Sequence, residues 1–330
     1  VPELRRDPTT GAWTIIAAER AARPGGGRAS SPAPAPPPTS CPFCLGHEAE
    51  TPPEILRLPP DADRWSVRVI PNKYPALVPG SIPGVPPADG LLSSLPARGH
   101  HEVIVEGPLH RLEAAPPTPD VLRDVFVAAR ERHRAFATDA ELRYVAVFKN
   151  HGRAGGASLP HPHWQLVALP IVPPAVEREL ALAAAHYARH GRTLVDDLLR
   201  REREDGRRLV EWTDEFAVVA AFAPQWEGET WIMPRARGDS VGALDDRRVA
   251  AFAEVLWRTL RRVETMLDEP PLNVVMHSAP LGSGAAESFR WHVRIQPRLG
   301  TQAGFELGSG VAIVTLTPEA AAERLRGLTP

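Results

Sequence analysis

Two spacings of apolar residues alternate along the chain. RWSVRVIPN (64–72) and HHEVIVEG (100–107) change between apolar and polar residues with period two, which predicts strands. Residues 120–137, DVLRDVFVAARERHRAFA, return an apolar side chain every three to four positions behind Pro119, which predicts a helix. ELRYVAVFKN (141–150) and HWQLVALP (163–170) go back to strand spacing, around a glycine-rich turn, HGRAGG. The same order then comes a second time. EFAVVAAFAP (215–224) and ETWIMPRA (229–236) predict strands, and 244–267 predicts a long amphipathic helix. PLNVVMH (271–277) and FRWHVRIQP (289–297) predict strands around the glycine-containing turn SAPLGSGAAES. Each half therefore runs strand, strand, helix, strand, glycine loop, strand carrying histidine, which points to an internal duplication. Residues 175–205 predict a charged helical connector, and 317–327 a terminal helix with proline at its start. The expected fold class is α+β, with an antiparallel sheet and flanking helices in each half, divided as 1–172 and 173–330.

Composition narrows the picture. A chain of 330 residues is long enough for two domains, and 43% hydrophobic with 24% charged residues excludes a disordered, collagen-like or coiled-coil chain. No apolar run approaches the ~18 residues of a membrane span. The first residues, VPELRRDPTTGAW, hold arginines but no apolar stretch, so no secretory signal is expected and a cytoplasmic site is. With 38 basic against 40 acidic residues, bulk attraction to nucleic acid or anionic lipid is not expected. Proline, at 37 residues, concentrates in 24–40 (a low-complexity, flexible segment) and in 75–97 (an expected surface excursion). The two cysteines, Cys41 and Cys44, form a CxxC pair that suggests metal binding or redox chemistry.

The chemistry concentrates in KNHGRAGGASLPHPHWQ (149–165). On a strand, residues two apart share a face, so His161, His163 and Gln165 would project into one site. The preceding glycines let backbone N–H groups approach an anion. Anion donors, an imidazole and a neutral amide together suit a phosphorus centre. Cys41 and Cys44 with two histidines complete a tetrahedral zinc set, and taking His110 and His161 as those two leaves His163 free.

On these residues the chain resembles the galactose-1-phosphate uridylyltransferases, within the histidine triad superfamily. RRDPTTGAWTIIAAERAARP (5–24) is similar to the family's N-terminal arm, CPFC (41–44) to its zinc motif, and PLH (108–110) to the segment giving a third ligand. FKNHG and SLPHPHWQ are similar to its active-site loop, and AGFELGSG with LTPEAAAERLR to its C-terminal segment. The resemblance implies two tandem histidine-triad-like domains and a ping-pong reaction. His163 would attack the α-phosphorus of a nucleoside diphosphate sugar, a hexose 1-phosphate would leave, and a second sugar phosphate would take the nucleotide from the histidine. Gln165 would bind the phosphoryl oxygens, and because hydrolases of the superfamily carry histidine there, it marks a transferase. UMP transfer from UDP-glucose to galactose 1-phosphate is the first expectation. The alternatives are an ADP-glucose type phosphorylase using the same intermediate, or a weakly active zinc-stabilised binding protein. The resemblance also places Asn150 and Ser158 at the diphosphate, Asn72 at the nucleoside and Glu306 at the hexose. Arg20 and Arg23 would belong to an arm that contributes to the active site of a homodimer.

Several positions depart from the family pattern. Lys73 follows Asn72 where the well-known enzymes carry aspartate, and NKYPAL is similar to a plant-type branch that transfers adenylyl groups. Hexose-recognising glutamine and lysine have no counterparts at Ala312 and near Gly300. A second metal site would use Glu179, His277 and His292, but Arg294 stands at the position of its last histidine. The branch with a second CxxC is matched here by Thr193 and Asp196. One structural zinc is expected. His47, His100, His101, His133, His151, His186 and His190 read as surface or locally bonded residues.

Overall fold

The computed structural model describes residues 2–22, 41–60, 64–80, 94–109 and 118–329. Arg23 and His110, expected at the active site and at the zinc, lie outside the described residues. The first half holds β1 (Glu3–Arg6), β2 (Trp13–Ile16), β3 (Leu56–Leu58), β4 (Val67–Pro71), β5 (His100–Glu106), α1 (Pro119–Phe136), β6 (Tyr144–His151) and β7 (His163–Leu169). Helices α2 (Pro174–His190) and α3 (Leu194–Asp205) connect it to the second half. There follow β8 (Leu209–Trp212), β9 (Phe216–Ala220), β10 (Thr230–Pro234), α4 (Asp246–Leu267), β11 (Leu272–His277) and β12 (His292–Pro297). The chain closes with α5 (Gly304–Ser309), β13 (Ala312–Val314) and α6 (Pro318–Arg326).

The duplication is visible in the strand order. One ten-stranded sheet runs β3-β4-β5-β7-β6-β11-β12-β10-β9-β8. Counting only the strands of this sheet and reading inward from either edge, each half places its first, second, third, fifth and fourth in the same sequence. The halves meet at β6 and β11, which pair antiparallel with Asn150 opposite Asn273. The two antiparallel sheets expected are thus fused into one. A three-stranded sheet, β1-β2-β13, was not anticipated, because its strands are three or four residues long and carry too few positions for a period to show. It ties the N-terminal arm to the C-terminal segment, with Arg5 bonded to Glu319 of α6. The connector is two helices rather than one, since Gly191 in the left-handed region (φ 65) ends α2 and Thr193 caps α3.

Helices α1 and α4 cover one face of the sheet. Thr118 accepts from the Val121 N–H to start α1, and Asp245 accepts from Arg248 to start α4. Their apolar stripes meet through Phe126 and Phe252, ring centres 4.6 Å apart, and reach the sheet at Trp164 and Trp291. The opposite face differs between halves. Over β9 and β10 it is sealed by α3, where Val195 and Leu199 pack on Ala217, Val219, Trp231 and Met233. Over β5 and β7 no helix lies among the described residues, and the CxxC loop packs there instead, with Cys41 and Phe43 on Val103 and Val105.

His133 is buried in α1, 5% exposed, and its Nε2 has no hydrogen-bond partner among the described residues. Burial, reinforced by Arg134 and opposed by Asp239, pushes it down to about 4. It is neutral in the fold and takes a proton near 6.5 when unfolded, so the unfolded chain binds more protons between those values. Stability from this group is therefore complete above about pH 6.5 and lost as pH falls toward 4, by up to about 3 kcal/mol. Urea unfolding at pH 7 and pH 5 should show a lower midpoint at pH 5 and a shallower drop in His133→Leu. An equal drop in that variant would reject the assignment.

Candidate active site

The site forms where β7 begins. His163 opens the strand, and its Nδ1 donates to the carbonyl of His161 at 2.8 Å. That bond fixes the ring and leaves Nε2 on the far side, with no hydrogen bond to any described residue. Burial holds His163 below the ordinary histidine value and Lys149 adds to this, while the His161 carbonyl and Glu106 oppose it. Phe43, from the CxxC loop, packs edge-on against the rings of both His161 and His163, at 5.9 and 5.5 Å.

His161 is fully buried. Its Nε2 donates to the Gly107 carbonyl at 3.0 Å, which leaves Nδ1 as the ligating nitrogen. Cys41 and Cys44 Sγ lie 3.6 and 3.7 Å from that nitrogen, and the three can hold a metal ion. The ligand residue and His163 are therefore coupled, since the backbone carbonyl of one positions the ring of the other.

Gln165 lies two residues further along the same face, as the strand period predicts. Its Oε1 accepts from His101 Nε2 at 2.8 Å, and Asn72 Nδ2 lies 3.1 Å from the same nitrogen. The structure thus brings Asn72, Gln165 and His163 together, and adds His101, which the sequence reading had set aside. The signal was available: His101 alternates inward with Val103 and Val105 on β5, opposite β7. Asn150, on β6, accepts from Asn273 Nδ2 at 2.8 Å, and the same amide donates to the Gly155 carbonyl at 2.7 Å. A side chain at Gly155 would put Cβ 2.8 Å from the Leu272 carbonyl oxygen, so glycine alone lets the loop lie against β11. Ser158 is exposed in that loop. Arg20 is exposed on a short 3-10 helix after β2, and Glu306 caps its own helix by accepting from Ala303. Neither shares a hydrogen bond with the His163 face among the described residues.

Lys149, one of two lysines, does not reach this face. It points to the helix side and pairs with buried Glu106 at 2.5 Å, beneath Trp164.

The second half repeats the geometry with different partners. His292 opens β12 and its Nδ1 faces the Arg290 carbonyl at 3.4 Å, as His163 faces that of His161. It is stacked under His277, ring centres 4.8 Å apart, and is fully buried. Glu179, His277 and His292 do converge in a cluster of possible ligands. Arg294 shares that space: Nε lies 3.3 Å from His292 Nε2, and Nη2 lies 3.4 Å from Glu179 Oε1 and 2.7 Å from the Thr9 hydroxyl. Burial alone would raise Glu179, but His277 and then Arg294 bring it down to about 2. A guanidinium supplies the positive charge there, and it has no lone pair for a metal. At the position of the second CxxC, Thr193 and Asp196 form a reciprocal helix cap, and Asp196 pairs with Arg290.

Comparison with known proteins agrees with this architecture. The family model for the galactose-1-phosphate uridyl transferase N-terminal domain matches residues 1–173, and that for the C-terminal domain matches 179–330. The chain is 33% identical to an ADP-glucose phosphorylase of Arabidopsis thaliana over 329 residues, covering 98% of this chain and 92% of that protein. It is 27% identical to a galactose-1-phosphate uridylyltransferase of Thermotoga maritima, covering 98% of each. The crystal structure of an Arabidopsis thaliana ADP-glucose phosphorylase with bound ADP-glucose superposes with a TM-score of 0.84 at 30% identity, over 100% of this chain and 99% of that one. Matched by both family models over nearly its whole length, the chain belongs to the galactose-1-phosphate uridyl transferase family.

Proposed function

We propose that the protein moves a nucleotidyl group from a nucleoside diphosphate hexose to an acceptor phosphate through His163. The observation that carries this is the placement of His163: Nδ1 tied to a backbone carbonyl, Nε2 unengaged, and Gln165 on the same face. Nε2 attacks the α-phosphorus, an N–P bond forms, and the P–O bond to the departing hexose 1-phosphate breaks. The carbonyl of His161 stabilises the positive ring. An oxygen of the acceptor phosphate then attacks the same phosphorus and releases His163. Gln165 binds the phosphoryl oxygens, and an oriented donor of this kind supplies about 3 kcal/mol of transition-state stabilisation. Asn72 meets the nucleoside, while Asn150 and Ser158 meet the diphosphate. Arg20, Arg23 and Glu306 serve a site completed in a homodimer, in which 1–172 and 173–330 act as the two domains of each chain.

A zinc ion suits the CxxC site. Zinc–sulfur bonds of about 2.3 Å and zinc–nitrogen bonds of about 2.0–2.1 Å at tetrahedral angles set sulfur and nitrogen about 3.5 Å apart, against 3.6 and 3.7 Å here. With His110 as fourth ligand the site is closed, so its part is structural: it holds the CxxC loop against the strand that carries His163.

UMP transfer from UDP-glucose to galactose 1-phosphate is one form of this activity. A second form, ADP-glucose phosphorolysis, is favoured by the 33% identity to the Arabidopsis phosphorylase and by Lys73 after Asn72. The two differ in base and acceptor but share the histidine intermediate. Incubation with UDP-glucose or ADP-glucose, each alone, with galactose 1-phosphate or with inorganic phosphate, separates them. Without acceptor, glucose 1-phosphate release should stop near one equivalent per site, and Gln165→His should raise hydrolysis. Rapid multiple-turnover hydrolysis by the wild type would favour a hydrolase instead.

A further inference from the structure

Two hydrogen bonds at His101 determine which way Gln165 faces. The backbone N–H of Ala76 donates to His101 Nδ1 at 3.2 Å. A nitrogen that accepts a hydrogen bond carries no proton, so the neutral ring holds its proton on Nε2. Nε2–H must then donate, and the group it meets at 2.8 Å is Gln165 Oε1. The carboxamide oxygen is thereby committed to β5, and the NH2 group is turned away from it. The same logic applies to Asn72. Tyr74 N–H donates to Asn72 Oδ1 at 2.8 Å, which commits that oxygen and leaves Nδ2 as donor. Nδ2 lies 3.1 Å from His101 Nε2, which is itself a donor and offers it no acceptor. Around one imidazole, two amides have therefore given up their oxygens and kept their N–H groups for something else. Groups that accept match such a pair: phosphoryl oxygens at Gln165, and an acceptor of the nucleoside at Asn72.

We propose that His101 is a positioning residue, which locks the Gln165 carboxamide with its NH2 toward the phosphoryl group that His163 attacks. The inference rests on the nucleotidyl-transfer reading above. A free glutamine side chain rotates about its last bond and presents oxygen or nitrogen with similar ease. Oxygen facing an anionic phosphoryl group would repel it, so the orientation must be imposed before the substrate arrives. The Ala76 backbone amide imposes it at one remove, because a main-chain N–H cannot exchange its role.

The test is a double-mutant cycle on the full chain, with UDP-glucose and ADP-glucose as the donors tried. His101→Phe should lower kcat by about 10- to 100-fold with KM changed less than threefold. The same change in a Gln165→Met background should cost less than twofold, since the orientation has nothing left to act on. His101→Gln, which can place an amide N–H near the position of Nε2, should recover most of the loss. Additive losses in the cycle, or a loss confined to KM, would overturn the proposal. Spectra of 15N-histidine-labelled wild type, assigned through His101→Gln, test it without relying on the phenylalanine variant. Protonation at Nε2 supports it, and protonation at Nδ1 overturns it. Mass spectrometry for a nucleotidyl adduct on wild-type His163 keeps the two readings apart. An adduct together with an additive cycle rejects the role of His101 alone, whereas no adduct rejects the transfer mechanism and this inference with it.

Discussion

His163→Ala is expected to lower turnover by on the order of 10⁴-fold or more, with the fold and metal content unchanged. The size of the effect follows from how the other imidazoles are engaged. His161 has Nδ1 in the cysteine cluster and Nε2 on Gly107. His101 has Nδ1 on Ala76 and Nε2 on Gln165. Among the described residues of this face, His163 alone has a ring nitrogen without a hydrogen bond, so no neighbour can take over the attack. Truncation should disturb little else, because the ring contributes one bond to a carbonyl and an edge contact with Phe43. Mass spectrometry of the wild type with its donor should find a nucleotidyl group on His163, and none on the alanine variant. Full activity in that variant, or an adduct that survives in it, would remove His163 from the reaction.

The second large effect is expected from Cys44→Ser. Wild type should contain one equivalent of zinc per chain, and the variant much less. The loss matters to catalysis because the site and the nucleophile share a backbone segment. Without the metal, nothing ties the two sulfurs to His161 Nδ1, and the CxxC loop carries Phe43 away from both rings. The His161 carbonyl that aims His163 then shifts, and displacements of about 1 Å cost roughly a hundredfold in rate. The expectation of one equivalent rather than two rests on Arg294 within the Glu179, His277 and His292 cluster, and on the cap made by Thr193 and Asp196. Elemental analysis of both proteins decides it. Two equivalents in the wild type, or undiminished zinc in Cys44→Ser, would overturn the assignment.

Sequence spacing alone determined a good deal. Period-two runs at 64–72, 100–107 and 163–170 became β4, β5 and β7 within a few residues at their ends. The helical runs behind Pro119 and before Leu267 became α1 and α4, because each has a wide apolar stripe and a capping residue that stops it sliding. The pairing of His163 with Gln165 was equally legible, since a strand leaves i and i+2 no choice of face. No membrane-crossing segment was expected, and no described helix is long and apolar enough to cross one.

Tertiary structure decided what local pattern cannot encode. Whether the two half-sheets join depends on Asn150 meeting Asn273, residues 123 apart in the chain. Strands as short as β1, β2 and β13 exist only because partners from distant segments pair with them. The duplication gave both halves a histidine at the same strand position, and the sequence separates them by what stands two residues on, Gln165 in one and Arg294 in the other. The fold adds what covers each: α3 seals the second half and Arg294 reaches into its cluster, while the first half carries the CxxC loop and leaves Nε2 of His163 without a hydrogen bond among the described residues. The role of His101 was hidden for the same reason: a histidine's tautomer is set by the groups it meets across strands and loops, and those neighbours are 25 and 64 residues away. Residue type fixes which protons a side chain can hold, but only the fold fixes where they point.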